Sequence, residues 1–251
     1  MPSPTDSRLK GSTAFVTGGA TGLGNALCEA LLASGVRVAA TYRPGGHVQG
    51  LESLRSAYGD QITGYPCDLA DSDDVQSVFA RARNDLGGIR MLVNNAGIWL
   101  SGRVEEIPVA DWDTTFAVNA RAPFLLCKGF LAQGEPGKIV NITSQAAFHG
   151  STSGHAHYAA SKAALVAMTV SLARENADRG VNANCVAIGM MRSNLVKEAL
   201  ARNEGAYLDR IPIGRVADPS DIVGAVMFLL GPDSNYMTGA TLDVTGGMLM
   251  R

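Results

Sequence analysis

Seven short apolar runs alternate with longer amphipathic stretches, and this alternation restricts the fold more than any other feature of the sequence. The strand candidates are Thr13–Thr17, Arg37–Tyr42, Ile62–Tyr65, Met91–Asn94, Lys138–Thr143, Val181–Ala187 and Thr241–Val244. Helical windows begin near Gly22, Val48, Ser72, Ala110, His155 and Asp218. Continuous apolar strands are typical of sheets covered on both faces by helices. The pattern therefore predicts an α/β, doubly wound, Rossmann-type fold with a mostly parallel seven-stranded sheet.

The chain shows no linker, internal repeat or shift in composition, so residues 1–251 are predicted to form a single domain. The segment from Arg192 to Pro212 fits no strand and interrupts the alternation. Long inserts of this kind are more often binding loops than structural necessities. We therefore expect a lid or substrate loop at about 190–213.

The charge balance excludes several classes of partner. Lys and Arg number 21 against 23 Asp and Glu, a net charge of −2, which argues against nucleic-acid binding and a basic membrane-binding surface. No stretch is long and apolar enough for a membrane span, and no secretory leader precedes the first strand. The four cysteines are far apart and contain no CxxC pair, so they are interpreted as buried free thiols. Together these features predict a cytoplasmic protein.

A glycine-rich turn follows the first strand, and its sequence is TGGATGLG over residues 17–24. Gly18 allows a tight turn, Gly22 lets the backbone approach a pyrophosphate, and Gly24 permits close helix–strand packing. The spacing is GxxxGxG rather than GxGxxG. Taken alone, the motif could equally be an ordinary turn. Its place between a strand and a helix favours a dinucleotide site that also includes Ala20, Thr21 and Leu23.

Further motifs follow in a fixed order: CDL at 67–69, NNAG at 94–97, Asn119, Ser144, YAASK at 158–162, NCVAIG at 184–189 and GRVADPSDI at 214–222. With this set the chain resembles the short-chain dehydrogenase/reductase family from about Gly11 to Gly247, and is similar to 3-oxoacyl-(acyl-carrier-protein) reductases. The resemblance implies a Rossmann-type fold and a nicotinamide dinucleotide. It implies that Asp68 holds the adenine amino group, that Leu69 flanks the ring, and that Asn95, with Ala96 and Gly97, lies under a ribose.

The end of the second strand bears on the choice of dinucleotide. An NAD site needs a carboxylate there for the ribose 2′-hydroxyl, but this chain has Tyr42 followed by Arg43. A guanidinium suits a 2′-phosphate, so the sequence favours NADP, with NAD as the alternative. Two observations weaken the argument: Arg43 could be an ordinary surface residue, and Thr21 stands where many NADP-dependent relatives have a basic residue.

Tyr158 and Lys162 lie four residues apart, so on a helix they share one face. An ammonium about 5 Å from a phenol favours the phenolate by roughly 3 kcal/mol, or about two pKa units, at an effective dielectric constant near 20. The spacing therefore predicts a lowered Tyr158 pKa and general acid–base work. An isolated YxxxK is common by chance, but Ser144 lies 14 residues upstream at the end of a strand, where catalytic residues cluster.

The resemblance assigns further roles. It implies that Ser144 steadies the substrate oxygen, that Tyr158 exchanges the proton, and that Lys162 binds the nicotinamide ribose. Asn119 is expected to hold a water in the proton relay. Ile188, Met191 and Ser193 are expected beside the nicotinamide, although Ile188 replaces the family's usual proline and frees the local φ angle.

Substrate contacts are predicted from position at Trp99, Gln145, His149, His155 and Met190. His155 and His157 form a His-x-His pair, but no further ligand cluster accompanies it, so no metal site is expected. A histidine there could tune proton transfer or bond the substrate. It could equally be a hydrogen-bonded residue at a helix start.

The sequence thus predicts an enzyme that transfers a hydride between NADP(H) and a carbonyl compound or secondary alcohol. The alternatives are an NAD-dependent alcohol or sugar dehydrogenase on the same four catalytic residues, and a non-catalytic cofactor-binding regulator. The resemblance also implies a homotetramer or homodimer, built through the helices near Ala110 and His155 and through the C-terminal segment.

Overall fold

A computed structural model describes residues 7–151, 154–193 and 196–251 of the chain. Its strands are β1 (Thr13–Val16), β2 (Arg37–Tyr42), β3 (Ile62–Pro66), β4 (Met91–Asn94), β5 (Gly137–Ser144), β6 (Val181–Ile188) and β7 (Thr241–Val244). They form one sheet in the order β3-β2-β1-β4-β5-β6-β7, and every neighbouring pair is parallel. The predicted fold class is confirmed, and the strand windows differ from the observed strands only at their ends.

The helices are α1 (Gly22–Ala33), α2 (Gln49–Tyr58), α3 (Ser72–Leu86), α4 (Val109–Phe116), α5 (Ala122–Leu131), α6 (Ala146–His149), α7 (Ala156–Asn176), α8 (Lys197–Leu208) and α9 (Pro219–Leu230). A π-helical turn, Ala117–Arg121, joins α4 to α5. The sequence windows anticipate six of these helices. They miss α6, α5 as a separate helix, and α8, which occupies the middle of the expected lid segment.

Two hydrophobic layers hold the helices against the sheet, because successive side chains of a strand face opposite sides. Ala14 and Val16 point to the layer that contains α1 and α9. Phe15 points to the opposite layer, where its ring meets Phe79 of α3 edge-on at 5.2 Å. Both faces of the central strands are therefore buried, which explains why their sequences are continuous apolar runs.

The strand order reverses between β1 and β4, which are neighbours on the sheet but are separated along the chain by β2 and β3. In open parallel sheets, a crevice forms at such a point, outside the carboxyl ends of the strands. The ends of β1, β4, β5 and β6 therefore define where ligands can approach.

All four cysteines are buried and free, as the sequence predicts. Burial raises the pKa of the Cys28 and Cys127 thiols to about 12, so both remain protonated and act as core residues. None of the described helices combines the length and the hydropathy that crossing a bilayer requires. Among the described residues, no three His, Cys, Asp or Glu side chains converge as metal ligands.

Candidate active site

The glycine-rich turn brings the carboxyl end of β1 to the N-terminus of α1. Gly18 and Gly22 have φ angles of 70° and 54°, in the left-handed region that favours glycine. A Cβ on Gly24 would overlap the carbonyl oxygen of Gly18. A Cβ on Gly22 would approach only the Cβ of Ser193, at 4.0 Å. The turn is thus packed on its inner side and open on the outer side, where a phosphate could approach.

Thr17 connects this turn to the NNAG segment. Its hydroxyl oxygen accepts hydrogen bonds from the backbone N–H groups of Asn95 and Ala96, both at 3.0 Å. The side-chain amide of Asn95 donates to the carbonyl oxygen of Thr17 at 2.9 Å. The backbone N–H and the side-chain amide of Asn95 are therefore both used to hold the NNAG segment against the β1 turn.

A cavity of about 660 Å³ opens along the ends of β1, β2 and β4, within the range of ligand-sized pockets. Its lining includes most of the predicted cofactor residues: Gly18, Ala20, Thr21, Arg43, Asp68, Leu69, Ala96 and Gly97. Leu23 does not line it, because its side chain is buried in the core, so only its backbone at the start of α1 could serve a cofactor. His47 also lines the cavity, and the sequence analysis did not single it out.

Arg43 is exposed at the rim of this cavity, directly after β2. From Tyr42 to Gly50 the chain contains Arg43 and His47 but no carboxylate. This end of the cavity therefore offers cationic and neutral donors to a ligand and lacks the acid that a free ribose 2′-hydroxyl would require.

Asn119 lies in the π-helical turn and is fully buried. Its side-chain oxygen accepts from the Ile98 N–H at 2.9 Å, and its amide donates to the Ile98 carbonyl at 3.0 Å and to the Ser161 hydroxyl at 3.1 Å. The Ser161 hydroxyl in turn donates to the carbonyl oxygen of Tyr158 at 2.7 Å. Asn119 thus links the loop after β4 to the helix that carries the catalytic candidates.

Tyr158 and Lys162 lie on one face of α7, and Ser144 lies at the end of β5. The Tyr158 hydroxyl is hydrogen-bonded to Ser144. The Lys162 Nζ donates to the Ile142 carbonyl oxygen at 2.9 Å and lies 5.9 Å from the centre of the Tyr158 ring. A Cβ placed on Gly97 would lie 3.4 Å from the same Nζ. The structure therefore brings Ser144, Tyr158 and Lys162 together beside the cofactor cavity.

The prediction of a lowered Tyr158 pKa is wrong. Burial raises the Tyr158 pKa, and the hydrogen bond from Ser144 only partly opposes this effect. Burial also lowers the Lys162 pKa to about 8. The Nζ is directed at the Ile142 carbonyl and lies beside the ring, so its charge does not offset the cost of burying a phenolate.

A second, smaller pocket of about 130 Å³ adjoins Tyr158. The predicted substrate and nicotinamide-side residues all line it: Trp99, Gln145, His149, His155, Ile188, Met190, Met191 and Ser193. Tyr207, Arg210 and Met248 also contribute, and the sequence analysis did not predict them. Tyr207 belongs to α8, so the expected lid segment does reach the pocket.

Within this pocket the ring of His155 stacks on Trp99, with 4.2 Å between ring centres and 28° between planes. The His155 Nδ1 lies 2.9 Å from the Leu100 carbonyl oxygen. His149 is exposed, and its Nε2 lies 3.3 Å from Oε1 of Gln145. The two histidines therefore differ, since one is fixed in the wall and the other lies at the mouth.

Fold and site together define a dinucleotide-binding oxidoreductase, in which a tyrosine, a serine and a lysine meet beside the cofactor cavity. Residues 18–249 match the family model described as enoyl-(acyl carrier protein) reductase. The chain belongs to this family, the short-chain dehydrogenases/reductases, as its motifs predict.

Two curated relatives cover nearly all of the chain. The nodulation protein G of a Rhizobium species is 35% identical over 245 residues, which is 96% of this chain and 98% of that protein. The 3-oxoacyl-(acyl-carrier-protein) reductase FabG of Vibrio cholerae is 34% identical over 245 residues, which is 96% of this chain and 99% of that protein.

Two solved structures also resemble this chain over nearly its whole length. A blue fluorescent protein from a metagenomic library, in complex with NADPH, superposes with a TM-score of 0.91 at 35% identity and covers 97% of this chain and 100% of that one. A short-chain dehydrogenase from Burkholderia cenocepacia, in complex with NADP, has a TM-score of 0.89 at 34% identity and covers 96% and 99%.

Proposed function

We propose that the protein is an NADP(H)-dependent oxidoreductase that interconverts a carbonyl compound and a secondary alcohol, with Tyr158 as the general acid and base. The observation that carries the proposal is the position of Tyr158. It is hydrogen-bonded to Ser144 in the wall of the small pocket, and Lys162 from the same helix lies beside it and against Gly97 of the cofactor cavity.

A bound nicotinamide dinucleotide would supply or accept the hydride, and the residues of the larger cavity fit such a group. Gly18, Gly22 and the N-terminus of α1 suit the pyrophosphate, while Asp68 and Leu69 suit the adenine. Ile188, Met191 and Ser193 lie where the nicotinamide end would meet the substrate.

During reduction, the Tyr158 hydroxyl donates its proton to the oxygen of the substrate, and the Ser144 hydroxyl holds that oxygen in place. The charge of Lys162 stabilises the phenolate that remains. Asn119, through Ser161 and Ile98, keeps the helix and the loop after β4 at a fixed separation. In the reverse direction, the phenolate takes the proton from the alcohol.

A Tyr158→Phe variant tests the catalytic part of the proposal. General acid–base catalysis contributes about 10²–10⁴-fold, so kcat for carbonyl reduction should fall by at least about 100-fold while the Kd for NADPH changes little. Full turnover by this variant would overturn the mechanism and favour the non-catalytic regulator. NADPH absorbance with a panel of ketones and aldehydes provides the measurement.

The preference for NADP rests on Arg43, on the absence of an acid from Tyr42 to Gly50, and on the NADPH and NADP complexes of the two similar structures. Replacing Arg43 with Ala should raise the Kd for NADPH about tenfold and leave the Kd for NADH nearly unchanged. Arg55→Ala, another exposed arginine but on α2, is the matched control. Tighter binding of NADH by the wild type would support the NAD-dependent alternative.

The proposal also includes the assembly and the location of the protein. Trp112, Phe124 and Phe228 are large apolar side chains exposed on α4, α5 and α9, which suits a homodimer or homotetramer built through helices. We expect a cytoplasmic protein whose partner is a small molecule rather than a nucleic acid or a membrane. Light scattering at several protein concentrations measures the assembly.

A further inference from the structure

His155 is held in one orientation by two contacts on different sides of its ring. One face stacks on Trp99, and Nδ1 lies 2.9 Å from the Leu100 carbonyl oxygen. A carbonyl oxygen can only accept a hydrogen bond, so Nδ1 is the nitrogen that carries the proton. In the neutral ring, Nε2 is then left with a free lone pair. The Leu100 carbonyl therefore makes Nε2 an acceptor.

Nε2 of His155 makes no hydrogen bond with any residue that the structure describes. His155 is only 5% exposed. Its Nε2 nevertheless keeps contact with solvent, because it is not one of the described side-chain atoms that are both fully buried and without a partner. His155 and Tyr158 both line the small pocket. His155 is the N-cap of α7, three residues before Tyr158, so the two side chains reach the same cavity from neighbouring positions of the chain.

The remaining lining limits what Nε2 can meet. The described residues of the pocket include no Asp or Glu, so nothing there would offset the charge of an ammonium group. The cavity of about 130 Å³ is smaller than the roughly 300–1,000 Å³ of pockets for larger ligands. Met190, Met191 and Met248 make the other side apolar. Arg210 also lines the pocket and brings a positive charge, so the lining disfavours a cationic substrate. A compact substrate with one hydrogen-bond donor fits this combination.

We propose that His155, oriented by Trp99 and the Leu100 carbonyl, is a specificity-determining residue that selects small ketones with a hydroxyl group near the carbonyl. This inference rests on the proposed function, because it assigns the substrate class of the same site. It is separate from the catalytic step, since His155 binds a neighbouring hydroxyl and Tyr158 serves the reacting oxygen.

Three small ketones distinguish the contribution of the substrate hydroxyl from those of substrate size and of an added oxygen atom. Hydroxyacetone and 2-butanone have the same number of heavy atoms, and methoxyacetone keeps an oxygen at the hydroxyl position, as an ether, but lacks the donor. We expect the wild type to reduce hydroxyacetone with a kcat/KM at least about tenfold above that of either comparison ketone, mainly through KM. Pyruvate tests the anionic alternative, and a preference for it would overturn the proposal.

Two variants of His155 distinguish the roles of its two ring nitrogens. In His155→Asn the side-chain amide can still donate to Leu100 from near the Nδ1 position, but Nε2 is lost. The preference for hydroxyacetone over 2-butanone should then fall about tenfold. His155→Gln places a polar atom near the Nε2 position and should restore part of the preference. Arg55→Ala, which changes an exposed residue that lines neither cavity, should leave the ratio within twofold. An unchanged ratio in His155→Asn would overturn the proposal.

A binding measurement distinguishes failure of this inference from failure of the proposed function. Saturation-transfer NMR on the NADPH complex of Tyr158→Phe reports ketone binding without turnover. Hydroxyacetone binding that weakens in the double variant with His155→Asn supports the inference even if the wild type reduces no ketone, a result that would reject the proposed function alone. Equal binding of hydroxyacetone and 2-butanone in both variants rejects the inference.

Discussion

The cofactor half and the substrate half of the site are built in different ways. Around the larger cavity, side chains such as Thr17 and Asn119 bond to backbone groups of neighbouring loops, and glycines pack against backbone atoms. The smaller pocket is lined by residues of α6, α7 and α8 and of the segments that follow β4, β6 and β7. The cofactor half thus depends on hydrogen bonds to the backbone, whereas the substrate half is assembled from several separate elements.

The cofactor half and the substrate half also differ in how deeply their polar contacts are buried. Asn119 is completely buried and fully bonded, so losing it would leave polar groups unpaired. In the substrate half, Arg192 pairs with Glu204 at 2.8 Å, but both side chains are roughly half exposed. Exposed pairs of this kind contribute about 0–1 kcal/mol. We therefore infer that substrate specificity can change in this protein with little cost in stability, whereas the cofactor half tolerates few changes.

The largest expected effect comes from Gly24→Ala. The new Cβ would overlap the Gly18 carbonyl oxygen, so the turn would have to open and the Kd for NADPH should rise at least about 100-fold. The control is Gly224→Ala in α9, where a Cβ meets no other atom within 4 Å and a gain of about 0.5–1 kcal/mol is expected. Calorimetric titration and thermal unfolding test both, and similar results for the two variants would show that the overlap with the Gly18 carbonyl oxygen does not limit NADPH binding.

Thr17→Val should have the next largest effect. The methyl group cannot accept the hydrogen bonds of Asn95 and Ala96, and each N–H left unpaired at these partly buried positions costs about 1–2 kcal/mol. The free energy of unfolding should therefore fall by about 2–4 kcal/mol in urea titrations, with weaker NADPH binding. Thr17→Ser keeps the hydroxyl and should stay within about 1 kcal/mol of the wild type. A loss of the same size in Thr17→Ser would indicate packing rather than hydrogen bonding.

Lys162 lies between the cofactor half and the substrate half, and its ionisation makes the free energy of unfolding depend on pH. Its pKa is about 8 in the folded protein, against 10.5 for a free lysine. Between these two pH values the unfolded chain holds the proton and the folded one does not, so this group makes stability rise with pH. Lys162→Met should thus be more stable than the wild type at pH 7, by on the order of 1–3 kcal/mol, although inactive.

The gain in Lys162→Met should shrink as the pH rises from about 8 to 10.5. Urea titrations of both proteins across that range provide the test, with the exposed Lys128→Met as the control that shows no such trend. A gain that is independent of pH would contradict the lowered pKa of Lys162.

The smallest expected effect tests the substrate half. The Arg251 guanidinium lies 3.8 Å from the centre of the Phe148 ring in α6 and bonds Asp243 at 3.1 and 3.2 Å. Arg251→Ala should loosen α6 and raise KM about two- to fivefold, with Tm within about 1 °C of the wild type. Arg8→Ala, which breaks an exposed pair with Asp233 away from the pocket, should leave KM unchanged. A large fall in Tm would show that the substrate half also carries stability.

The sequence predicts the fold, the glycine turn and the shared helix face of Tyr158 and Lys162 because these follow from local rules. Continuous apolar runs predict buried parallel strands, and Gly18, Gly22 and Gly24 stand where the turn needs them. The spacing of Tyr158 and Lys162 places them on one helix face, as observed. Their assigned roles in binding and catalysis stay predictions.

The rest depends on contacts between distant parts of the chain. Tyr207, Arg210 and Met248 reach the small pocket from α8 and the C-terminal segment, and no local pattern predicts that approach. The sequence predicts the pKa of Tyr158 with the wrong sign because the helical spacing gives the distance of Lys162 but not the burial of the phenol, which raises its pKa. Ser161 lies within the YAASK motif, yet its bonds to Asn119 and Tyr158 appear only in the structure.

The π-helical turn at Ala117–Arg121 has a consequence for the length of this region. A π turn holds one more residue than an α turn, and each residue advances a helix by about 100°. Because the extra residue is absorbed within this one turn, the side chains of α5 keep their phase relative to α4. The turn therefore holds Asn119 in its buried position while Leu126 and Phe130 stay in the core. Regular α winding of the same number of residues would rotate α5 by about 100° relative to α4, so only the π turn keeps both sets of contacts.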